Sequence, residues 1–473
     1  GYMKILRPSF KMKSLETELS NRINSIELSN KKSNFNLLLE LFNYGVESVQ
    51  PKNILNKFLF VQKNKITVKE NNKIKVYKKV KNLFVICIGK ASVDMALTAK
   101  SIFSNTSIKI KKGVVVVNKE NFKDVKGFKC FSSGHPIPNT NGLKAAKFIK
   151  NTLKNLDKDD LVLMLISGGG SALLPFPVNE ISLKDKILTN KLLLSSGANI
   201  KEINSVRKHL SQVKGGNLIK MCYPAKVHGL ILSDVIGDDL GSISSGMTTF
   251  DETNFSDVLS ILKKYKLWQR IPIKVKNFIT KGLNDLNLET PKKNNKVFKE
   301  TANTLIGSNR LCLKNIDSYC KKKKLNSKII FYDIDMNVKK FSEYFVEKIK
   351  TIKTKKPLIL LSGGETTVKV KGNGKGGRNQ EFSLHFLKEM KRKNPEKEFF
   401  LLSAGTDGRD GPTNAAGGIV FTKSIDEIKK KNINLNEELK KNNSYDVLKK
   451  INSLVIIKGT NTNVADIQIL LLL

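Results

Sequence analysis

The sequence predicts an α/β fold in two domains, on three observations. Short, almost wholly apolar runs recur along the chain at 84–88 (FVICI), 161–166 (LVLMLI), 228–232 (HGLIL), 358–361 (LILL) and 399–402 (FFLL), each followed by helical stretches. Apolar runs that do not alternate with polar residues fit strands buried on both faces, as in parallel sheets covered by helices. Each run ends in a loop of small or acidic residues, at the strand carboxyl ends where open α/β sheets bind ligands. A length of 473 residues exceeds what one hydrophobic core usually supports, hence two domains.

Residues 14–60 read as helical. Leu15, Leu19, Ile23, Ile26 and Leu28, and then Leu37, Leu38, Leu39, Leu41 and Phe42, recur at near-helical spacing. The first strand runs into Gly89-Lys90-Ala91-Ser92 and an Ala/Met helix, the second into Ser167-Gly168-Gly169-Gly170-Ser171, and the third into Ser233-Asp234-Val235-Ile236-Gly237-Asp238-Asp239. From about 264 to 300 the chain is rich in Lys and Asn with weak apolar patterning. That places a seam near its end, giving domains 1–298 and 299–473. Past the seam the pattern restarts, with Asn309-Arg310 opening a helix. The fourth strand stops at Ser362-Gly363-Gly364-Glu365, ahead of an alternating ribbon over 366–371 and a glycine-rich segment that ends where Arg378-Asn379 begin a helix. The fifth leads into Ser403-Ala404-Gly405-Thr406-Asp407.

A net charge of +42 taken alone suggests a nucleic-acid surface. Lysine is spread over nearly every segment, however, with no basic stripe and no aromatic residues interleaved for base stacking, so no nucleic-acid partner is expected. Only eight of the 84 basic residues are Arg, and Arg207, Arg310, Arg378 and Arg409 lie in or beside the Gly- and Asn-rich motifs. A planar fork of donors is what such places would use. The five cysteines are scattered without metal-ligand spacing, which fits a reducing compartment. No apolar window is long enough for a membrane span, and the basic N-terminus has no signal-peptide core, so a cytoplasmic location is expected.

The glycine-rich backbone before Arg378, with Lys375 beside it, offers N–H groups to an anion, and a phosphate is expected there. Ser167–Ser171 supports two readings, a tight turn or a phosphate cradle of backbone amides; it lacks the Lys of a Walker loop. Gly372–Gly377 formally matches GxGxxG, but its alternating, Lys-bearing ribbon and the absence of a following strand-end acid make the match accidental. Lys90, between a buried strand and a helix, is placed to neutralise phosphoryl oxygens. Asp234, Asp238 and Asp239 form an acidic set after a strand; such acids hold Mg²⁺, accept a hydroxyl proton, or cap turns, the last reading suiting Asp239. Glu365 and Asp407 are further strand-end acids. His135 and His209 suit either substrate orientation or a structural role.

The runs FVICIGKAS, SSGHPIPNTNGLKAA, LISGGGSALLPFP, SGANIKEINSVRKHLSQVKGGNL, LSDVIGDDLGSISSG, LIGSNRL, LSGGETTVKVKGNGKGGRNQEF and SAGTDGRDGPTNAAGG together resemble the MOFRL-type glycerate kinases, in that family's order, from about 84 to 466. The resemblance implies ATP-dependent, Mg²⁺-assisted phosphorylation of D-glycerate to 2-phosphoglycerate. It implies a larger Rossmann-like domain, a smaller C-terminal one and a site in the cleft between them, in a monomer or homodimer. The catalytic lysine falls on Lys90, the acids on Asp234 or Asp238 (both also candidate metal ligands) and on Glu365, and the arginine on Arg378. Ser167, Gly168, Gly169, Gly170, Ser171, Gly363 and Gly364 would cradle phosphates. His135, Lys208, Asn309, Asn379 and Asp407 complete the binding set, with Lys208 or Arg378 meeting the glycerate carboxylate. Ile236 and Met247 stand where the family usually has proline, and the motif over 461–466 also departs. A hydroxypyruvate reductase using NAD(P)H and a basic nucleic-acid-binding protein are the alternatives.

Overall fold

The computed structural model describes residues 31–473, so the periodicity read over 15–28 lies outside the described residues. The described chain forms two compact units, residues 51–306 and residues 31–50 joined to 307–473. The boundary drawn at 298 therefore moves to 306, and the first helix, α1 (Lys31–Ser48), changes sides. Packing explains the change. Phe35 of α1 sets its ring edge-on to Phe400 and Phe421, at 5.8 and 5.7 Å, and Leu37, Leu38, Leu41 and Phe42 are buried.

In the 51–306 unit a small antiparallel sheet, β1 (Leu59–Gln62), β2 (Lys65–Glu70) and β3 (Lys73–Lys78), precedes the main one. The latter consists of β4 (Leu83–Ile88), β5 (Ile110–Asn118), β6 (Phe128–Ser133), β7 (Leu161–Ile166), β8 (Lys226–Leu232) and β9 (Thr301–Gly307), in the order β6-β5-β4-β7-β8-β9. Strands β4 to β8 are mutually parallel. Chain order thus runs outward from β4 on one side and resumes at β7 on the other. The topological switch lies between β4 and β7, where doubly wound sheets open a crevice. Both strands are buried at every residue, as their unbroken apolar runs require.

Helices α2 (Ser92–Ser104) and α3 (Thr140–Leu153) follow β4 and β6. A helical cluster adds α4 (Leu183–Ser195), α5 (Ile200–His209), α6 (Phe255–Lys264) and α7 (Ile273–Asn284), with its own core of Leu193, Val206, Phe255, Leu262, Val275 and Phe278. Ser182, Asn199 and Asn254 cap α4, α5 and α6 through their side chains, the last two in reciprocal capping boxes with Glu202 and Asp257. The Lys/Asn-rich stretch, in which the apolar pattern reads as weak, holds α7, and that helix turns Val275, Phe278 and Ile279 inward at helical spacing.

In the other unit α8 (Asn309–Lys322), α9 (Val338–Thr351) and α10 (Arg378–Lys393) accompany β10 (Ser327–Ile334), β11 (Leu358–Gly364), β12 (Phe399–Gly405), β13 (Gly417–Phe421), β14 (Leu454–Val455) and β15 (Asp466–Leu472). The sheet order is β10-β11-β15-β12-β13-β14. Only β10 and β11 pair in parallel. The apolar β15 enters between β11 and β12 antiparallel to both, so the expectation of a second parallel sheet gives way to a mixed one. The alternating ribbon over 366–371 forms no strand beyond an isolated bridge at Thr367. Gly363 and Gly364 belong to β11, paired with Ile467 and Asp466, and do not form a free loop.

Candidate active site

At the switch point β4 and β7 leave the sheet side by side, Ile88 opposite Ile166. Gly89 turns with φ +130, and a Cβ there would lie 2.6 Å from the Ser167 carbonyl oxygen, so the close approach of the two loops requires glycine. They are then laced together. The Lys90 amide donates to the Gly168 carbonyl at 2.9 Å, and the Ala91 amide to Ser167 Oγ at 3.1 Å. This leaves the Lys90 side chain exposed at the head of α2.

Gly169 (φ +90) caps the one-turn helix Gly170–Leu173. A Cβ on it would sit 3.3 Å from Lys90 Cε and 3.2 Å from His135 Cδ2, so both side chains converge over this glycine. Burial, then the positive charge of Lys90, lowers the His135 pKa and keeps its ring neutral at pH 7. Asp234, just past β8, lies against the backbone of Gly168, its Cγ 2.7 Å from the position a Cβ would take. Ser244 Oγ donates to the Ser167 carbonyl at 3.1 Å, and Ser171 Oγ meets Ser245 Oγ at 2.9 Å, bracing the loop from behind. Lys90, His135, the Ser167–Ser171 backbone and Asp234 are thus gathered at the carboxyl ends of β4, β6, β7 and β8.

Other candidates in this unit separate. Asp239 accepts from the Gly241 amide (3.1 Å) and Ser242 Oγ (2.9 Å), the turn-capping role expected of it. Asp238 stands in left-handed backbone (φ 54) beside Gly237 (φ 95). Lys208 is buried, its Nζ near Gly241. His209 is structural. Its ring packs on Phe255, and its nitrogens bond the Ser205 carbonyl at 2.8 Å and Glu289 at 2.9 Å.

In the other unit Arg378 opens α10 and forks onto Asp466 at the start of β15, Nε to Oδ2 at 2.5 Å and Nη2 to Oδ1 at 3.0 Å. Its Nη1 reaches Glu365 at 3.0 Å. Burial works against both members of the fork. It raises the Asp466 pKa to about 6 despite the pull of Arg378, whereas the bonds and charges of Asp466, Glu365 and Asp410 outweigh it at Arg378 and lift that pKa above the ordinary arginine value. Asp410 takes the N-terminal amides of α10, Asn379 N at 3.0 Å and Gln380 N at 2.9 Å. The phosphate expected at this helix end therefore meets a carboxylate already in place, held by the same N–H groups and helix dipole.

The glycine-rich segment is likewise spoken for. The Lys371 and Gly372 amides donate to Asn442 Oδ1 and the Lys375 amide to Asn443 Oδ1, while Lys375 Nζ lies 4.2 Å from the Tyr445 ring centroid. Gly372 and Gly374 let backbone pack on backbone at Lys441, an ordinary packing reason for the GxGxxG pattern.

Asn309 braces β15 by donating to the carbonyls of Val464 and Asp466, both at 2.8 Å, and stands over Gly363. Asn379 links Asp410 to Ser403, and Asp407 accepts from the Arg409 amide at 2.9 Å. Asp410 and Asp466 were missed by sequence reasoning. The signals were an acid in a GTDGRDG loop and an acid opening an apolar terminal run, both of which also read as turn formers.

Residues 37–280 match a family described as a domain of unknown function, DUF4147, and residues 358–466 match the MOFRL family. The chain is 36% identical over 437 residues to a glycerate 2-kinase of Pyrococcus horikoshii, covering 91% of this chain and 96% of that one. It is 38% identical over 393 residues to a D-glycerate 2-kinase of Thermotoga maritima, covering 82% and 90%. The crystal structure of a Thermotoga maritima glycerate kinase superposes with a TM-score of 0.80 at 35% identity, covering 93% of this chain and 100% of that one. A solved Pyrococcus horikoshii structure gives a TM-score of 0.82 at 35% identity, with 92% and 97% covered. No helix among the described residues is long and apolar enough to cross a membrane.

Proposed function

The chain belongs to the glycerate 2-kinase family, and on that premise we propose that it transfers the γ-phosphoryl group of ATP to the 2-hydroxyl of D-glycerate, giving 2-phosphoglycerate and ADP. The observation that carries the chemistry is the gathering of Lys90, the Gly168–Gly170 backbone and Asp234 at one switch point. Phosphoryl transfer asks little covalent chemistry of a protein. It asks for positioning and for positive charge and N–H groups where charge accumulates.

In this reading the Ser167–Ser171 loop receives phosphate oxygens on its backbone, and Lys90 offsets their charge. Asp234 accepts the proton as the glycerate oxygen bonds to phosphorus and the bond from phosphorus to the ADP oxygen breaks. His135, kept neutral, hydrogen-bonds the acceptor without adding charge. In the other unit Arg378, one-third exposed beyond its fork on Asp466, is the arginine this reading makes catalytic, and it orients Glu365.

Mg²⁺ bound with a nucleotide typically takes one or two protein carboxylates, its other ligands being water and phosphate oxygens. Among the described residues no group of three His, Cys, Asp or Glu side chains gathers as a protein cage. Asp234, with Asp238 on the same loop, fits the thinner donor set. When bound there, Mg²⁺ would neutralise the β- and γ-phosphates.

Coupling ADP release to NADH oxidation tests the reading. Turnover is expected only with ATP, Mg²⁺ and D-glycerate together, and to fall about a thousandfold in Lys90→Ala and Arg378→Ala. Near-normal activity in both variants would overturn the role assignments.

A further inference from the structure

Behind the Ser167–Ser171 loop, cations collect with no acid among them in the described residues. Lys186, on α4, is only 3% exposed, and its ammonium has no acceptor among the described residues. One turn on, Asn190 accepts from Arg207 Nε at 3.2 Å, which brings the α5 guanidinium onto the same face as Lys186. Lys214 is fully buried, and its Nζ reaches the Leu174 carbonyl at 3.3 Å, directly after the loop and its one-turn helix. Asn204, one turn before Arg207 and Lys208, accepts from Ser245 Oγ at 3.0 Å, while its buried Nδ2 has no partner among the described residues.

Burial of a cation without a counter-charge is expensive, and proteins rarely leave one so. Burial, then the charge of Arg207, lowers the Lys186 pKa to about 8; burial, then Lys186 and Arg207, lowers that of Lys214. Among the described residues no carboxylate offsets these charges. An anion is the partner that a cluster of donors of this kind would take.

We propose that Lys186, Arg207, Lys214 and the Asn204 amide form the seat of the acceptor's carboxylate, fixing which acids the enzyme accepts. The chain of contacts from Ser171 through Ser245 to Asn204 joins this seat to the loop that faces Lys90. The proposal rests on the glycerate reading. It replaces Lys208 and Arg378 as carboxylate partners, since Arg378 is already matched by Asp466 and Glu365.

The test is equilibrium binding of D-glycerate without nucleotide, by calorimetry, together with steady-state kinetics, for the wild type, Lys186→Met and Arg207→Gln. Lys186→Met removes an uncompensated buried charge and is expected to fold at least as stably as the wild type. D-Glycerate affinity is expected to weaken about ten- to a hundredfold in both variants, with KM for ATP unchanged, matching the loss of a charge-assisted hydrogen bond. Wild-type glycerate affinity retained in both variants would overturn the carboxylate seat. So would a selective rise in KM for ATP, or weaker inorganic phosphate binding at unchanged glycerate affinity, because the occupant would then be a phosphate. Absence of glycerate binding and turnover in the wild type itself would instead defeat the kinase reading on which the seat rests.

Discussion

Gly168→Ala perturbs the candidate site by a calculable amount. The added methyl would lie 2.7 Å from Asp234 Cγ, against an ordinary carbon contact of about 3.5–4.0 Å. Asp234 must then retreat by about 1 Å. Gly168 is not among the residues of positive φ, so alanine suits its backbone and the strain falls on the carboxylate. A misplacement of that size typically costs about a hundredfold in rate. We therefore expect kcat to fall about a hundredfold, with a stability loss of about 1 kcal/mol. The coupled assay reads kcat, and urea denaturation reads stability. A double-mutant cycle sharpens the test. If the methyl acts by displacing Asp234, then Gly168→Ala adds nothing to Asp234→Asn. A well-folded Gly168→Ala with kcat within about threefold of wild type, or full additivity with Asp234→Asn, would refute the placement of Asp234 at the reacting centre.

Three further outcomes follow from the same geometry. Gly372→Ala puts a Cβ 2.5 Å from Lys441 Cα and is expected to cost about 1–3 kcal/mol in urea denaturation while KM for ATP stays unchanged; a raised KM would restore a phosphate role to that segment. Asp466 has a folded-state pKa of about 6, above its ordinary 3.8, so its proton linkage favours the folded state fully below about pH 4 and fades as pH rises through 6. Urea denaturation at pH 4.5 and 7.5 is expected to show the wild type losing about 2 kcal/mol more across this window than Asp466→Asn; equal losses would contradict the burial argument. All five cysteines are free, and burial raises the thiol pKa of Cys87, Cys222, Cys312 and Cys320, so thiol-alkylating reagents are expected to modify at most Cys130 in the folded protein; rapid modification of the others would show the core opening.

The parallel sheet was legible because β4, β7 and β8 are buried on both faces and spell this out as unbroken apolar runs. The loops after them were legible because only small residues allow the approach seen between Gly89 and Ser167. What escaped was long-range. Nothing local shows that the apolar end of the chain, β15, slots between β11 and β12 and makes that sheet mixed, or that α1 packs with residues 307–473. Lysine richness misled twice. It masked the apolar pattern of α7, although Val275, Phe278 and Ile279 keep helical spacing, and it hid Lys186 and Lys214 among dozens of solvated lysines. The glycine-rich stretch before Arg378 misled for another reason. Close backbone packing and anion binding ask for the same residue, and here Asn442, Asn443 and Asp410 occupy the donors.

The central claim is transfer of phosphate to a glycerate hydroxyl, and phosphorus NMR of the reaction mixture tests it most directly. After incubation with ATP, Mg²⁺ and D-glycerate, the account predicts that the γ-phosphate resonance gives way to ADP signals and to the phosphomonoester of 2-phosphoglycerate in equal amount. Inorganic phosphate alone, or an ATP spectrum unchanged by D-glycerate, would contradict it.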